Sequence, residues 1–309
     1  MNKNRSVLEV DLAPLAGPRF QPTGFPDLGA AEFQTADGTK ALLVESAQSM
    51  ANWMESTTWD LAAQEQPEVL SGLPFVRIVD ADGTFLSSSR LEAHRLASAY
   101  IMNGKIGGID GEPWMADRFG LAAGRPLDNQ AVAKACFALD PVSLLHGVFF
   151  ARGKWPWQPK IARAITGFIE AYDARPAVSG GVKRDFVNNE AKEGATTEGY
   201  GMVPYSRMEY TAGRVTAYFT IDHAQFRSYG LSESAVGLLE ALADYEIGTL
   251  LDRGMRLRTA CDLKVVDVRG ERPDAREAAV RVAKLASEST GELGPVTTVT
   301  WSGRGKGKD

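Results

Sequence analysis

Cysteine and histidine are scarce: two cysteines, Cys136 and Cys261, and three histidines, His94, His146 and His223, in 309 residues. The thiols lie far apart with no second cysteine near either, which excludes a disulfide framework and a thiolate zinc site. No HExxH frames the histidines, so a structural role is expected for each. Long apolar runs are missing too. The most apolar stretch, Val142 to Ala151, carries His146 and falls far short of the roughly 20 residues a membrane helix needs. The N-terminal MNKNRSVLEVDL has no apolar signal core and turns acidic at once, so a reducing cytoplasm is the expected compartment. There is no GxxxxGK[ST] loop, no GxGxxG opening a strand-to-helix turn and no GxSxG elbow; Gly303, Gly305 and Gly307 have the wrong spacing and context. Nothing demands an enzyme, and no cofactor, metal or membrane partner is expected.

What remains is ordinary globular composition, 44% hydrophobic and 24% charged, long enough for one elaborated domain or two compact units. The net charge of −5 is uneven: residues 1–150 hold 11 basic against 18 acidic side chains, and 151–309 hold 23 against 21. Within 151–184 stand Arg152, Lys154, Lys160, Arg163, Arg175, Lys183 and Arg184, against only Glu170 and Asp173. Such a stretch suits either a solvated face or a local anion-binding surface.

Periodicity orders the chain as a mixture of strands and helices. Val7 to Leu12 alternates as a strand and enters a stiff loop of prolines and glycines. Ala47, Met50, Ala51 and Met54 follow helical spacing, leaving Ser49, Asn52 and Ser56 on the opposite face. A strand is expected at Phe75–Val79 and a helix from Ser89, where Glu92 completes a capping box. Residues 102–128 lose periodicity among six glycines and two prolines, too long a stretch for an idle loop. Further on we expect a strand at Val132–Leu139, a helix carrying Ile161, Ile165, Phe168 and Tyr172, and a strand at Pro176–Val187 interrupted at Gly180-Gly181. After a second excursion at 188–204 come a strand at Arg214–Ile221, a buried helix at Ser234–Leu251, a strand at Leu263–Val268, a helix at Ala275–Ala286 and a closing strand at Val296–Trp301. The tail 302–309 is expected to be disordered. This alternation without repeats indicates an α+β sheet-and-helix core with insertions, one elaborated domain over 1–301.

Two acids, Asp27 in PTGFPDLG and Asp37 in TADG, lie between the first strand and first helix. They suit metal-dependent chemistry on a 2′-hydroxyl or, equally, loop and turn capping.

Six segments together carry a family signal: RFQPTGFPDLGAAEF at 19–33, LLVESAQSMANWME at 42–55, SSRLEAHRLASAYI at 88–101, DPVSLLHGVFFA at 140–151, GGVKRDFV at 180–187 and RLRTACDL at 256–263. In this order they resemble the backbone subunit of a type I CRISPR surveillance complex (Cascade), branch I-G (formerly I-U), in the Cas-seven family of the RAMP superfamily. The resemblance implies an RRM-like, ferredoxin-type palm sheet with insertions forming fingers and thumb. It implies copies that polymerise head-to-tail along one CRISPR RNA with other Cascade subunits, while the guide pairs with target DNA. Ser46, Gln48, Ser49 and Asn52 then match the polar palm helix laid against the RNA backbone, or an ordinary solvated face. Arg19 and Gln21 match the first loop beside the RNA, and Lys183 and Arg184 would neutralise phosphate. Arg256 and Arg258 would join them, or else cap the buried helix or pair with a neighbouring copy. Trp114 and Met115 in 102–128 are the first thumb candidates, as a wedge replacing base stacking or as core, and 188–204 is the second candidate. The acidic half of one copy would face the basic half of the next. Two alternatives stand beside this non-catalytic reading: a target-RNA nuclease of the type III kind using Asp27 or Asp37, and an α+β small-molecule enzyme.

Overall fold

The computed structural model describes residues 4–25, 27–186 and 201–303. In chain order the principal elements are β1 (Arg5–Pro14), β2 (Glu32–Gln34), β3 (Lys40–Glu45), α1 (Ala47–Glu55), β4 (Val76–Val79), β5 (Phe85–Ser88), α2 (Gly111–Arg118), α3 (Asn129–Leu139) and α4 (Val142–His146). There follow β6 (Ile165–Tyr172), β7 (Arg175–Lys183), β8 (Val203–Thr211), β9 (Arg214–Asp222), α5 (His223–Ser228), α6 (Glu233–Arg253), β10 (Met255–Arg258), β11 (Cys261–Arg269), α7 (Ala275–Glu288) and β12 (Thr297–Thr300).

Seven strands form the main sheet in the order β10-β11-β1-β9-β6-β3-β2, antiparallel throughout. Taken with the helices, β1-α1-β6-β9-α6-β11 is a βαββαβ unit whose four strands lie fourth, first, third, second, the ferredoxin-like arrangement. Period-two burial decides which face is covered: Leu8, Val10 and Leu12 of β1, Ile165, Ile169 and Ala171 of β6, and Val215, Ala217, Phe219 and Ile221 of β9 all point into the core. Helix α1 packs its Met50 and Met54 on that face, and Gly167 of β6 makes room, since a Cβ there would stand 3.0 Å from the Phe219 ring. Helix α6 is buried over most of its circumference, as apolar residues on nearly every side of it require.

A second sheet of five short strands sits apart from the palm. Its order is β5-β4-β12 followed by the hairpin Lys105–Ile106/Ile109–Asp110, and β12 pairs in parallel with β4. The closing strand expected from the C-terminal pattern is therefore present, but it closes this sheet and not the palm.

Three elements differ from the sequence reading. Residues 132–139 are helical: Val132, Ala133, Cys136, Phe137 and Leu139 bury one helical face, and Asp128 caps the helix by accepting from the Gln130 and Ala131 amides (3.0 Å each). An alanine-rich run favours helix over strand. Residues 165–172 are a strand, buried at every second position; Ile161, Ile165, Phe168 and Tyr172 matched helical spacing, yet the alternate faces of β6 and its β-branched residues satisfy the sheet. The Ser89–Glu92 box starts no helix. Ser89 Oγ donates to Asp140 (2.5 Å) and accepts from Val76 N–H (3.1 Å), while Glu92 accepts from Ser87 (2.5 Å) and Ser98 (2.8 Å).

Candidate nucleic-acid interface

Ser46 starts α1 as its N-cap, accepting from Ser49 N–H at 3.2 Å, so its hydroxyl serves the helix. Gln48 and Asn52, one turn apart, are exposed, with Ser49 half-buried beside them. This polar stripe contains neither an acid nor bulk.

What holds α1 in place is Arg258. Its guanidinium donates to the carbonyls of Gln21 (2.8 Å) and Val44 (3.2 Å) and forms an ion pair with buried Glu45, the residue before the N-cap. Three of the segments singled out in the sequence thus converge on one guanidinium. Arg258 is consequently a clamp, engaged by two carbonyls and a carboxylate, and Gln21 contributes its backbone to it. Arg256, two residues earlier, is exposed opposite Asp262. Arg19 is half exposed and lies 3.5 Å from Glu209, while its neighbour Phe20 is fixed by paired backbone bonds to Tyr210 (2.8 and 2.9 Å).

The excursion at 102–128 does not project. Met115 is fully buried, Trp114 packs against the core with Arg118 4.5 Å over its ring, and α2 docks on the one-turn helix Ala99–Met102. The thumb assignment of Trp114 and Met115 is corrected accordingly: they are packing residues. What extends from the palm is the β7–β8 hairpin, paired with no other strand among the described residues and continuous through Gly180 and Gly181. Lys183 and Arg184 are exposed near its end, and apolar side chains are exposed with them: Phe186 at 89%, Val178 at 73%, Val182 at 54% and Tyr205 at 52%. Of the second excursion, residues 188–200 lie outside the described residues, as do 304–309 of the tail.

At the opposite end of β6 is a cleft of about 510 Å³ that the sequence did not single out. It lies beside Gln48 of α1 and is lined by Arg95, Lys160, Arg163, His94 and Thr166, with no carboxylate in its lining. Arg163 donates to the carbonyls of Ala47 (2.8 Å) and His146 (3.5 Å). Burial and the nearby Arg95 charge lower its affinity for its own proton. Arg95 is held in the left-handed region (φ 50°) by two bonds to Glu55 (2.5 and 2.7 Å) and one to the Gly147 carbonyl (3.0 Å). The only trace of this cleft in the sequence was the basic excess of 151–184, of whose seven cations it uses Lys160 and Arg163.

Two histidines are not isolated once the chain folds. His146 Nε2 lies 2.6 Å from Glu246 Oε2, both side chains wholly buried; burial pushes the Glu246 carboxyl up to about 8 and the His146 imidazole down to about 4, so the neutral acid donates to the neutral ring. On the surface, Ser6 Oγ shares a hydrogen bond with His223 Nε2 (2.8 Å), whose Nδ1 lies 2.7 Å from Glu240. Of the two loop acids, Asp37 accepts from Thr35 and from Thr39 N–H (3.0 Å) in its own turn, bonds that hold its carboxyl down at about 2. Asp27 is exposed. Among the described residues no group of three or more metal-ligating side chains comes together, and no helix is long and apolar enough to cross a membrane.

Residues 7–176, more than half the chain, match the family model of CRISPR-associated protein GSU0053. The chain belongs to that family. Two solved structures are similar to this member. One is a chain of a "CRISPR RNA-guided surveillance complex, pre-nicking", 13% identical with a TM-score of 0.43, over 92% of this chain and 85% of that one. The other is Csc2 of Thermofilum pendens, 12% identical with a TM-score of 0.31, over 96% of this chain and 78% of that one. No curated protein sequence matches.

Proposed function

We propose that this chain is a non-catalytic backbone subunit that binds CRISPR RNA and polymerises head-to-tail along it, alongside other Cascade subunits of the I-G branch. In this reading the guide pairs with target DNA. The observation that carries it is the acid-free polar face of α1, exposed Gln48 and Asn52 with half-buried Ser49, set beside a cation-lined cleft in a chain of net charge −5. Small amides and hydroxyls hydrogen-bond phosphates and 2′-hydroxyls without reading sequence, and the cations neutralise the backbone. The β7–β8 hairpin takes the part of the thumb, its exposed apolar side chains suited to replacing base stacking.

The test is purification with and without a CRISPR array. A discrete guide-length RNA in a large assembly, present only with the array, is the expected result; a clean monomer with guide and partners supplied overturns the reading. Two alternatives are tested on the same preparation. Target-RNA cleavage with divalent metal, lost in Asp27→Ala or Asp37→Ala, would establish a nuclease. A serine-hydrolase reading is favoured by one observation, the Ser6–His223–Glu240 chain, and fluorophosphonate labelling of Ser6 would establish it.

A further inference from the structure

The cleft is built, not left over. The short ribbon Val148–Phe149/Lys160–Ile161 forms one wall, with Phe149 directly opposite Lys160 and the Lys160 ammonium 5.7 Å from the Phe149 ring centre. The ribbon closes this tightly on Arg163 because residue 147 is glycine. Gly147 has φ 79°, and a Cβ there would meet the Ile161 carbonyl at 2.7 Å and the Arg163 nitrogen at 2.9 Å. Two cations, Lys160 and Arg163, therefore reach the cleft with no carboxylate partner among the described residues, whereas Arg95 behind them is neutralised by Glu55. His146 also lines the cleft, and its buried Nδ1 has no hydrogen-bond partner.

Cations without a carboxylate partner, Lys160 exposed and Arg163 half-buried, attract an anion, yet the volume is several times that of a phosphate, and Phe149, 47% exposed, offers an apolar face beside the charge. A ligand with one phosphate and one flat ring satisfies both requirements. We infer that the cleft seats a single ribonucleotide of the bound RNA, its phosphate between Lys160 and Arg163 and its base against Phe149. This rests on the RNA-binding reading above and gives it a residue-level site beside the α1 face. Gln48 belongs to both surfaces and joins them.

The experiment is anisotropy titration of guide-length single-stranded RNA into the full chain and two variants, repeated over a salt series. Lys160→Ala should weaken binding about fivefold and lower the salt slope by about one, and Phe149→Ala should weaken it about tenfold with the slope unchanged. Lys134→Ala, exposed on α3, is the control. Native affinity and slope in both cleft variants overturn the site while leaving RNA binding intact; failure of the native chain to bind RNA overturns the functional reading itself. A second arm titrates AMP. If AMP binds the native chain and is lost in Lys160→Ala while that variant binds RNA normally, the cleft belongs to free nucleotide and the RNA assignment falls.

Discussion

The two ends of β6 carry the same kind of charge in opposite settings. At its start, Arg95 and Arg163 are anchored by Glu55 and by backbone carbonyls in a cleft whose walls are fixed by close backbone contacts. Past its end, Lys183 and Arg184 stand exposed on a two-stranded ribbon among apolar side chains. The sequence presents Arg163, Lys183 and Arg184 as members of one basic stretch. The fold sets them apart, the first group before β6 and the second beyond β6 and the whole of β7, and gives the first group a fixed geometry and the second freedom to adapt to what it meets.

Breaking this contrast starts with the anchored cations. Arg258→Ala strands buried Glu45 without its partner and should cost about 3 kcal/mol in chemical denaturation, whereas Arg256→Ala, exposed two residues away, should cost under about 0.5. An equal cost for the two would end the description of Arg258 as a clamp. The glycines give the next test. Gly147→Ala combines a positive φ with backbone collisions and should lose about 2 kcal/mol or more of stability. Gly181→Ala on the hairpin meets only the movable Tyr205 ring at 3.2 Å and should lose less than about 1.

A third expectation concerns pH and the buried pair beneath the cleft. Unfolded, the glutamate ionises near 4.5 and the histidine near 6.5; folded, Glu246 keeps its proton up to about 8 while His146 stays neutral down to about 4. Between pH 4.5 and 6.5 each state holds one proton, so stability is flat. From 6.5 to 8 only the folded state holds it, so stability falls as pH rises, by about 2 kcal/mol in all. Glu246→Gln should flatten that decline in thermal melts run across the window. Smallest in stability is the free end: Lys183→Ala and Arg184→Ala should leave unfolding within about 0.5 kcal/mol of native while each lowers the salt slope of RNA binding by about one.

How much of this was legible differs by residue for physical reasons. Strand β1, helix α1 with its polar stripe, helices α6 and α7 and strands β9 and β11 follow from period alone, because each buries one face or all faces. Residues 132–139 and 165–172 exchange type because a short apolar pattern fits both periods; what decides is the neighbour, Phe219 and the α1 methionines for β6. The α1 face was visible as residue types at helical spacing. The cleft was not, since Gly147, Phe149, Lys160 and Arg163 meet only through backbone pairing across an irregular loop, and no spacing rule connects them. Arg258 was visible as a cation but not as a clamp, for its partners lie more than two hundred positions away.

The parallel pairing of β12 with β4 bears on how the chain acquires its shape. Strand β4 is synthesised early, yet its neighbour on one side consists of residues 297–300. The second sheet cannot be finished until residues 297–300 have left the ribosome, more than two hundred positions after β4, and β4 has an open edge while β1, β6 and β9 are already available to the palm. Long-range pairing of this kind is slow and leaves the waiting strand open to mispairing. Synthesis therefore makes the palm strands β1, β6 and β9 available before β12, the strand the second sheet needs at its centre.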